Sequence, residues 1–114
     1  MSARFLLTSD ETNRFFVNLV DANGELLLIG GTHPSRDEAE AAIKEIRVGT
    51  LMSNQIGASK TPSGDTFFYI KNPGGQVIAK SQLFTSAMAF DNALHQVKDN
   101  TCIAELDDLT AQNA

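Results

Sequence analysis

FFVNLVDANGELLLI, residues 15–29, is the stretch of sequence that decides the fold. It contains two runs of aromatic, β-branched and aliphatic residues, and Asn23-Gly24 lies between them. Asn-Gly in this position is the strongest short-range signal for a β-hairpin, because a type I′ turn requires positive φ at both of its central residues. The stretch therefore predicts two antiparallel strands joined by a two-residue turn.

The same pattern returns 51 residues later in the chain. Residues 13–47 align with residues 64–98 without a gap, and Gly74-Gly75 takes the place of the Asn-Gly turn. A weaker strand signal precedes each hairpin, at residues 4–7 and at about residues 55–59. Matched turns at a fixed spacing indicate an internal duplication.

A helix is predicted after each hairpin. Ser35 and Ser86 are the expected N-caps, and Ser35 with Glu38 forms a capping box. The apolar positions after each cap are spaced i, i+3, i+4, i+7, which gives each helix one apolar face. These positions are Ala39, Ala42, Ile43 and Ile46 in the first copy and Phe90, Ala93, Leu94 and Val97 in the second.

The predicted fold class is α+β, with two tandem β-β-β-α repeats at about residues 3–51 and 54–102. One copy is too small to bury an adequate core alone. We therefore expect both copies to share one mainly antiparallel sheet, with both helices on one face, in a single domain over residues 1–103. Residues 104–114 contain Glu105, Asp107 and Asp108 and no cation. They are predicted to form an acidic, disordered tail.

Strand alternation assigns side chains to the two faces of this sheet. The helix-covered face is predicted to carry Phe15, Val17, Leu19, Leu28, Phe68, Ile70, Ala79 and Leu83. The opposite face is predicted to carry Phe16, Asn18, Val20, Leu27, Ile29, Phe67, Tyr69, Lys71, Ile78 and Lys80. Its apolar residues either pack along neighbouring lysine stems as cross-strand pairs or form a contact surface for a protein partner or a second copy. The candidate interaction surface is formed by Phe16, Val20, Phe67, Tyr69, Lys71, Ile78 and Lys80.

Composition narrows the functional classes. The net charge of −5 and the fourteen acidic against nine basic residues argue against a general nucleic-acid binder, which needs a basic stripe. One cysteine cannot form an internal disulfide. The N-terminus lacks the apolar run of a signal peptide, and no apolar stretch approaches the length of a membrane span. We therefore expect a cytoplasmic protein.

The reactive side chains are scattered along the chain. His33, His95 and Cys102 fall in no metal-ligand spacing, and the Gly-Gly pairs lack the Lys-Ser/Thr of a P-loop. His33 is interpreted as a packing residue, His95 as a surface residue and Cys102 as a small hydrophobe. No catalytic, cofactor-binding or metal-binding residue is predicted, and the chain is not expected to be an enzyme.

The first hairpin, with Phe15 to Leu19 followed by Ala22-Asn23-Gly24-Glu25, resembles that of the YegP-like family of small bacterial proteins. The second copy is similar to the family pattern at Gln76-Val77-Ile78 and at its exit, residues 97–101. In the first copy, Gly30 and His33 depart from that pattern. The resemblance implies an α+β fold with two tandem copies and an unknown function. It also implies that single-copy relatives form dimers that mimic the two-copy chain, and it supplies no catalytic residues.

Three functional hypotheses remain open. The first is a non-enzymatic binding or assembly module that uses the sheet face opposite the helices. The second is a single-stranded nucleic-acid binder, with Phe67 and Tyr69 as stacking platforms beside Lys71 and Lys80. The third is an enzyme with an unrecognised site at the seam between the repeats.

Overall fold

The computed structural model describes residues 3–110, which form one sheet and two α-helices. In chain order the elements are β1 (Arg4–Ser9), β2 (Phe15–Val20), β3 (Leu26–His33), α1 (Arg36–Gly49), β4 (Ile56–Lys60), β5 (Thr66–Lys71), β6 (Val77–Lys80), α2 (Ala87–Asn100) and β7 (Glu105–Asp108). Short 3₁₀ helices at Ser53–Gln55 and Thr101–Ile103 precede β4 and β7. The predicted α+β class is confirmed.

The seven strands form one mixed sheet in the order β4-β5-β6-β3-β2-β1-β7. All neighbouring strands are antiparallel except β1 and β7, which are parallel. The central strands β3 and β6 meet at the pair Ile29 and Lys80, and these two residues are 51 positions apart. Outward from this pair the strands follow as β3, β2, β1 on one side and as β6, β5, β4 on the other. The two sides therefore have the same order, and β7 is an additional strand beside β1.

Both helices have the predicted N-caps. The Ser35 hydroxyl accepts the backbone N–H of Glu38 at 3.2 Å, and the Ser86 hydroxyl accepts that of Ala89 at 3.0 Å. Each helix has 14 residues, and the two begin and end 51 positions apart. Their apolar faces join the strands in one buried cluster, in which Ile46 and Val97 are fully covered. Such burial of apolar surface is the main stabilising contribution to the fold.

The hairpin turns differ from the predicted two-residue type. The N–H of Gly24 donates to the carbonyl of Asp21 at 3.0 Å, and the loop closes where the N–H of Asp21 meets the carbonyl of Glu25 at 2.9 Å. Of the loop residues only Gly24 has positive φ, at +85°. This is a three-residue loop with glycine in the left-handed position. A four-residue hydrogen-bonded turn ending in Gly75 at φ +87° repeats this geometry in the second hairpin.

The longer turn moves two predicted outer-face residues to the core side. Val20 pairs with Leu26, but Leu19 pairs with Leu28, so Leu27 is an extra residue in β3. A bulge re-aims the side chain it carries. Leu27 therefore lies in the buried cluster, and the same irregularity in β6 packs Ile78 against that cluster. The predicted outer-face positions of Leu27 and Ile78 are wrong for this reason.

The prediction of a disordered acidic tail is wrong for residues 104–110. Ala104 is buried, and β7 adds to the sheet edge with Leu106 beside Phe5. The guanidinium of Arg36 contacts the Asp108 carboxylate and the Thr110 hydroxyl. The acidic composition of this segment suggested that its side chains are surrounded by solvent. In the structure, arginines from elsewhere in the chain pair with them. Residues 111–114, which the tail prediction also covered, lie outside the described residues.

Three further expectations have clear outcomes. The predicted core positions Val17, Leu19, Leu28, Phe68, Ile70 and Ala79 are buried. Leu83 is exposed, because it lies beyond the end of β6 and outside the strand alternation used to place it. Within residues 3–110, no helix is long and apolar enough to cross a membrane.

Candidate interaction face

The outer face is the side of the sheet opposite α1 and α2. The pairing register aligns one residue from each strand in a continuous row across it. From β7 to β4 this row consists of Asp107, Leu6, Asn18, Ile29, Lys80, Tyr69 and Gly57. Both helices join the buried cluster on the other side, so the described residues leave the outer face uncovered.

The centre of the outer face is an apolar ridge, formed by Ile29, between two hollows. Ile29 is 45% exposed and Val77 is 47% exposed. A hollow of about 270 Å³ lies between Ile29, Val77 and Lys80, and a second of about 380 Å³ lies between Ile29 and Phe16. Gly31, whose φ is +83°, borders both hollows and contributes no side chain to fill them. An uncovered ridge with hollows on both sides is suited to interlocking with another surface.

Aromatic side chains occupy the β5 part of the outer face. The rings of Phe67 and Tyr69 have centroids 6.2 Å apart and are tilted by 48°. The Tyr69 ring lies across Gly57 on the edge strand, where a Cβ atom would come within 2.4 Å of the ring carbon Cζ. Glycine at position 57 therefore lets the ring lie flat against the strand backbone.

The two ends of the outer face carry opposite charges. At the β7 end are Glu105 and Asp107, and Asp107 is 3.7 Å from the guanidinium of Arg4. In the other half of the sheet, Lys80 lies opposite Tyr69, and Lys71 is two residues further along β5. The face is thus acidic at one end and basic towards the other.

Five of the seven residues predicted for the interaction surface lie together on the outer face. These are Phe16, Phe67, Tyr69, Lys71 and Lys80. Val20 is on this face by register but only 5% exposed, and Ile78 turns to the core side at the bulge. The predicted surface set omitted Leu6 and Val77. The alternation of side chains along β1 would have predicted that Leu6 lies on the outer face. No feature of the sequence predicts the face of Val77, because that face depends on the bulge.

The two histidines and the cysteine lie in different elements of the fold, with His33 in β3, His95 in α2 and Cys102 in the 3₁₀ helix that follows α2. The His33 ring nitrogen Nε2 lies 2.9 Å from the carbonyl oxygen of Gly30, and His95 pairs with Asp99 at 2.9 Å on the exposed side of α2. Cys102, which the sequence interpretation treats as a small hydrophobe, is exposed. The 3₁₀ turn after α2 places it outside the helix stripe. Among residues 3–110, no three His, Cys, Asp or Glu side chains cluster as metal ligands.

Hydrogen bonds to Asp108 hold the acidic end of the sheet in place. The Thr110 hydroxyl donates to the Asp108 carboxylate at 2.6 Å. This hydrogen bond, followed by those from Arg36, lowers the pKa of Asp108 below its ordinary value of 3.8. The stabilisation by Asp108 is therefore complete above the ordinary value and is lost as the pH falls through the lowered folded pKa.

We expect Thr110→Val to raise the pKa of Asp108 towards 3.8, because it removes the largest of these hydrogen bonds. An NMR titration of the Asp108 carboxyl carbon measures this change. Asp10, whose pKa is lowered to about 2 mainly by the Thr12 hydroxyl, is the internal reference and should not move. An unchanged Asp108 titration would contradict the assignment.

The comparisons agree on one family. Residues 63–108 match a domain of unknown function, DUF1508. A UPF0339 protein of Pseudomonas aeruginosa is 30% identical over 108 residues, which are 95% of this chain and 98% of that protein. The UPF0339 protein YegP of Escherichia coli K12 is 26% identical over 100 residues, 88% of this chain and 91% of that protein.

Two solution NMR structures share the fold. The UPF0339 protein of Shewanella oneidensis has a TM-score of 0.91 at 23% identity, over 98% of this chain and 95% of that one. The Escherichia coli YegP structure has a TM-score of 0.87 at 25% identity, over 96% and 95% of the two chains. Together these define a class of small α+β proteins whose function is unknown. The chain belongs to the UPF0339 family, of which YegP is a member.

Proposed function

We propose that this protein is a tandem duplication of a β-β-β-α unit that acts as a non-enzymatic assembly module, and that its outer face binds a second copy of the chain. The observation that carries the proposal is the exposed apolar surface at the centre of the outer face, where Ile29 stands between two hollows and Val77 borders one of them. Contiguous exposed apolar surface of this kind marks interaction sites.

The duplication is supported by irregular features, which do not recur by chance as readily as strands and helices do. Both hairpins have the same turn and the same bulge, the latter after Leu19 and after Ile70. Both helices have the same bounds after an offset of 51. The innermost strand pair joins Ile29 to its own equivalent, Lys80.

Charge and shape favour one arrangement of the two copies. In this arrangement the two outer faces stack about a two-fold axis that is parallel to β3 and passes by Ile29. Ile29 of one copy then contacts Ile29 of the other, and Tyr69 of one copy lies over Leu6 of the other. The acidic β7 end of each copy lies over the lysine-bearing half of its partner. An axis along the row would instead place Lys80 on Lys80, and such like-charge contacts are unfavourable. Two sheets stacked with their strands aligned within about 30° are a common packing.

The same charges make the nucleic-acid alternative less favourable. Lys71 and Lys80 are the cations beside Phe67 and Tyr69, and the β7 end of the same face would repel phosphates. A cytoplasmic location remains part of the proposal, and the exposed thiol of Cys102 suits a reducing compartment.

We expect Ile29→Lys and Ile29→Glu each to abolish the dimer, because each buries two like charges on the axis. An equimolar mixture of the two variants should regain a dimer that contains one chain of each kind. Analytical ultracentrifugation measures the loss, and native mass spectrometry identifies the mixed species. Because Ile29 is half exposed, its replacement should change the free energy of unfolding by only about 1 kcal/mol.

The matched controls use Met88, an exposed apolar residue on the helix side of the molecule. Met88→Lys and Met88→Glu should leave the dimer intact. A wild-type chain that stays monomeric at high micromolar concentration would overturn the proposed function. A wild-type chain whose sedimentation shifts only on addition of an oligonucleotide at low salt would replace it with the nucleic-acid alternative.

A further inference from the structure

A cleft of about 450 Å³ lies between α1 and the central strands β3 and β6, and it shares Gly31, Val77 and Ile78 with the hollow beside Ile29 on the outer face. Its lining residues are Gly30, Gly31, Thr32, His33, Glu38, Ala41, Ala42, Glu45, Val77 and Ile78. This volume is within the range of about 300–1,000 Å³ that is usual for small-molecule sites. The cleft lies at the seam between the two halves of the chain.

The second half of the chain has an equivalent cleft, and it is smaller. Its volume is about 320 Å³, and eight of the ten residues that line it lie 51 positions from residues that line the first. There Phe84 lies in a buried aromatic cluster, with its ring centroid 6.0 Å from that of Phe68 and 6.1 Å from that of Phe90. The equivalents in the first half are His33, Val17 and Ala39. Of these three positions, His33 lines the first cleft as Phe84 lines the second, whereas Val17 and Ala39 are buried in the core.

The two clefts also differ in charge. Glu38 and Glu45 line the first cleft, whereas Ala89 and Gln96 stand at the same places in the second. Neither glutamate forms an ion pair within residues 3–110. They are seven residues apart on α1, so about 10 Å separates them along the helix axis. On α1 the cleft wall between them consists of Ala41 and Ala42, and Thr32 and His33 line the cleft from β3.

We propose that this cleft binds a short linear aliphatic diamine. Each ammonium group would pair with one of the two carboxylates, and the methylene chain would lie on Ala41, Ala42 and Ile78. A ligand with charge only at its ends matches this pattern, because the surface between the glutamates offers apolar contacts. The cleft borders the outer face through Gly31, Val77 and Ile78, but the two glutamates that define the site lie on α1, on the other side of the sheet.

The test is an amide NMR titration of the full chain with cadaverine at low ionic strength, where exposed charges are least screened. Saturable shifts are expected at residues 30–33, 41–45 and 77–78, with none at the equivalent residues 81–84 and 92–96. Pentylamine should bind about fivefold more weakly, because it lacks one ion pair. Pentanediol, which has no charge, should produce no saturable shift.

The decisive variant copies the second cleft into the first, as Glu38→Ala with Glu45→Gln. It should abolish the cadaverine shifts while the free protein keeps its spectrum elsewhere. The charge-matched control, Glu11→Gln with Asp91→Asn, removes two exposed carboxylates outside the cleft and should bind like the wild type. Equal shifts in all three proteins, shifts spread over all acidic residues, or no shift at millimolar cadaverine would overturn the proposal. All three proteins keep Ile29 and Val77, so self-association is the same in each and cannot account for a difference in cadaverine binding.

Discussion

Phe68→Ala is expected to lower the free energy of unfolding by about 3–5 kcal/mol, the largest effect of any single substitution that we predict. Phe68 is fully buried, and its ring packs in a stack on Phe84 and edge-to-face against Phe90 at 5.7 Å. Removal of the ring opens a cavity between the sheet and α2 that three aromatic side chains now fill. Urea denaturation followed by circular dichroism measures the loss.

The matched control is Val17→Ala, at the position 51 residues earlier. Val17 is also buried, but no aromatic cluster surrounds it. Its truncation should cost about 2 kcal/mol, because fewer atoms leave the core. Equal losses in the free energy of unfolding at positions 17 and 68 would mean that the two halves of the core are packed alike. That result would contradict the difference that we describe between the two clefts.

Truncation of the chain after Ala104 is expected to lower the free energy of unfolding by about 2–3 kcal/mol. The cut removes β7, its pairing with β1 and the contacts from Arg36 to Asp108 and Thr110. It also removes the hydrogen bond from the N–H of Leu109 to the carbonyl of Leu7 at 2.9 Å. The midpoint of urea unfolding should fall accordingly.

A second truncation after Thr110 provides the control, since it leaves β7 and its arginine contacts in place. It should change the free energy of unfolding by less than about 0.5 kcal/mol. If the longer truncation has as small an effect as the shorter one, then β7 contributes nothing to stability.

The sequence predicted those parts of the fold that local signals specify. Ser35 and Ser86 marked the helix starts, because a cap is defined by the residue and the three that follow it. The glycines marked both turns correctly. The number of residues in each loop was wrong, since Asn23-Gly24 suits a two-residue turn as well as the end of a three-residue loop.

What the sequence could not predict depends on that loop length or on contacts far along the chain. One additional loop residue requires a bulge, and the bulge decides the faces of Leu27, Val77 and Ile78. The predicted faces therefore agree with the structure where strands are regular, as at Phe67 and Tyr69. β7 was missed because its partners are distant in sequence, and a short acidic segment carries no strand signal of its own.

The pair Ile29–Lys80 has a consequence for how such a chain can change over evolutionary time. Where two identical single-unit chains associate about a two-fold axis, the residue nearest the axis must face its own twin. A lysine there would meet a lysine. In the duplication that we propose, two such units are joined in one polypeptide, so each position near the axis has two independent codons. An aliphatic residue can then face a cation, as Ile29 faces Lys80. Fusion thus removes the requirement that the residue at the axis contact an identical residue. The two surfaces beside that position can then change independently of each other.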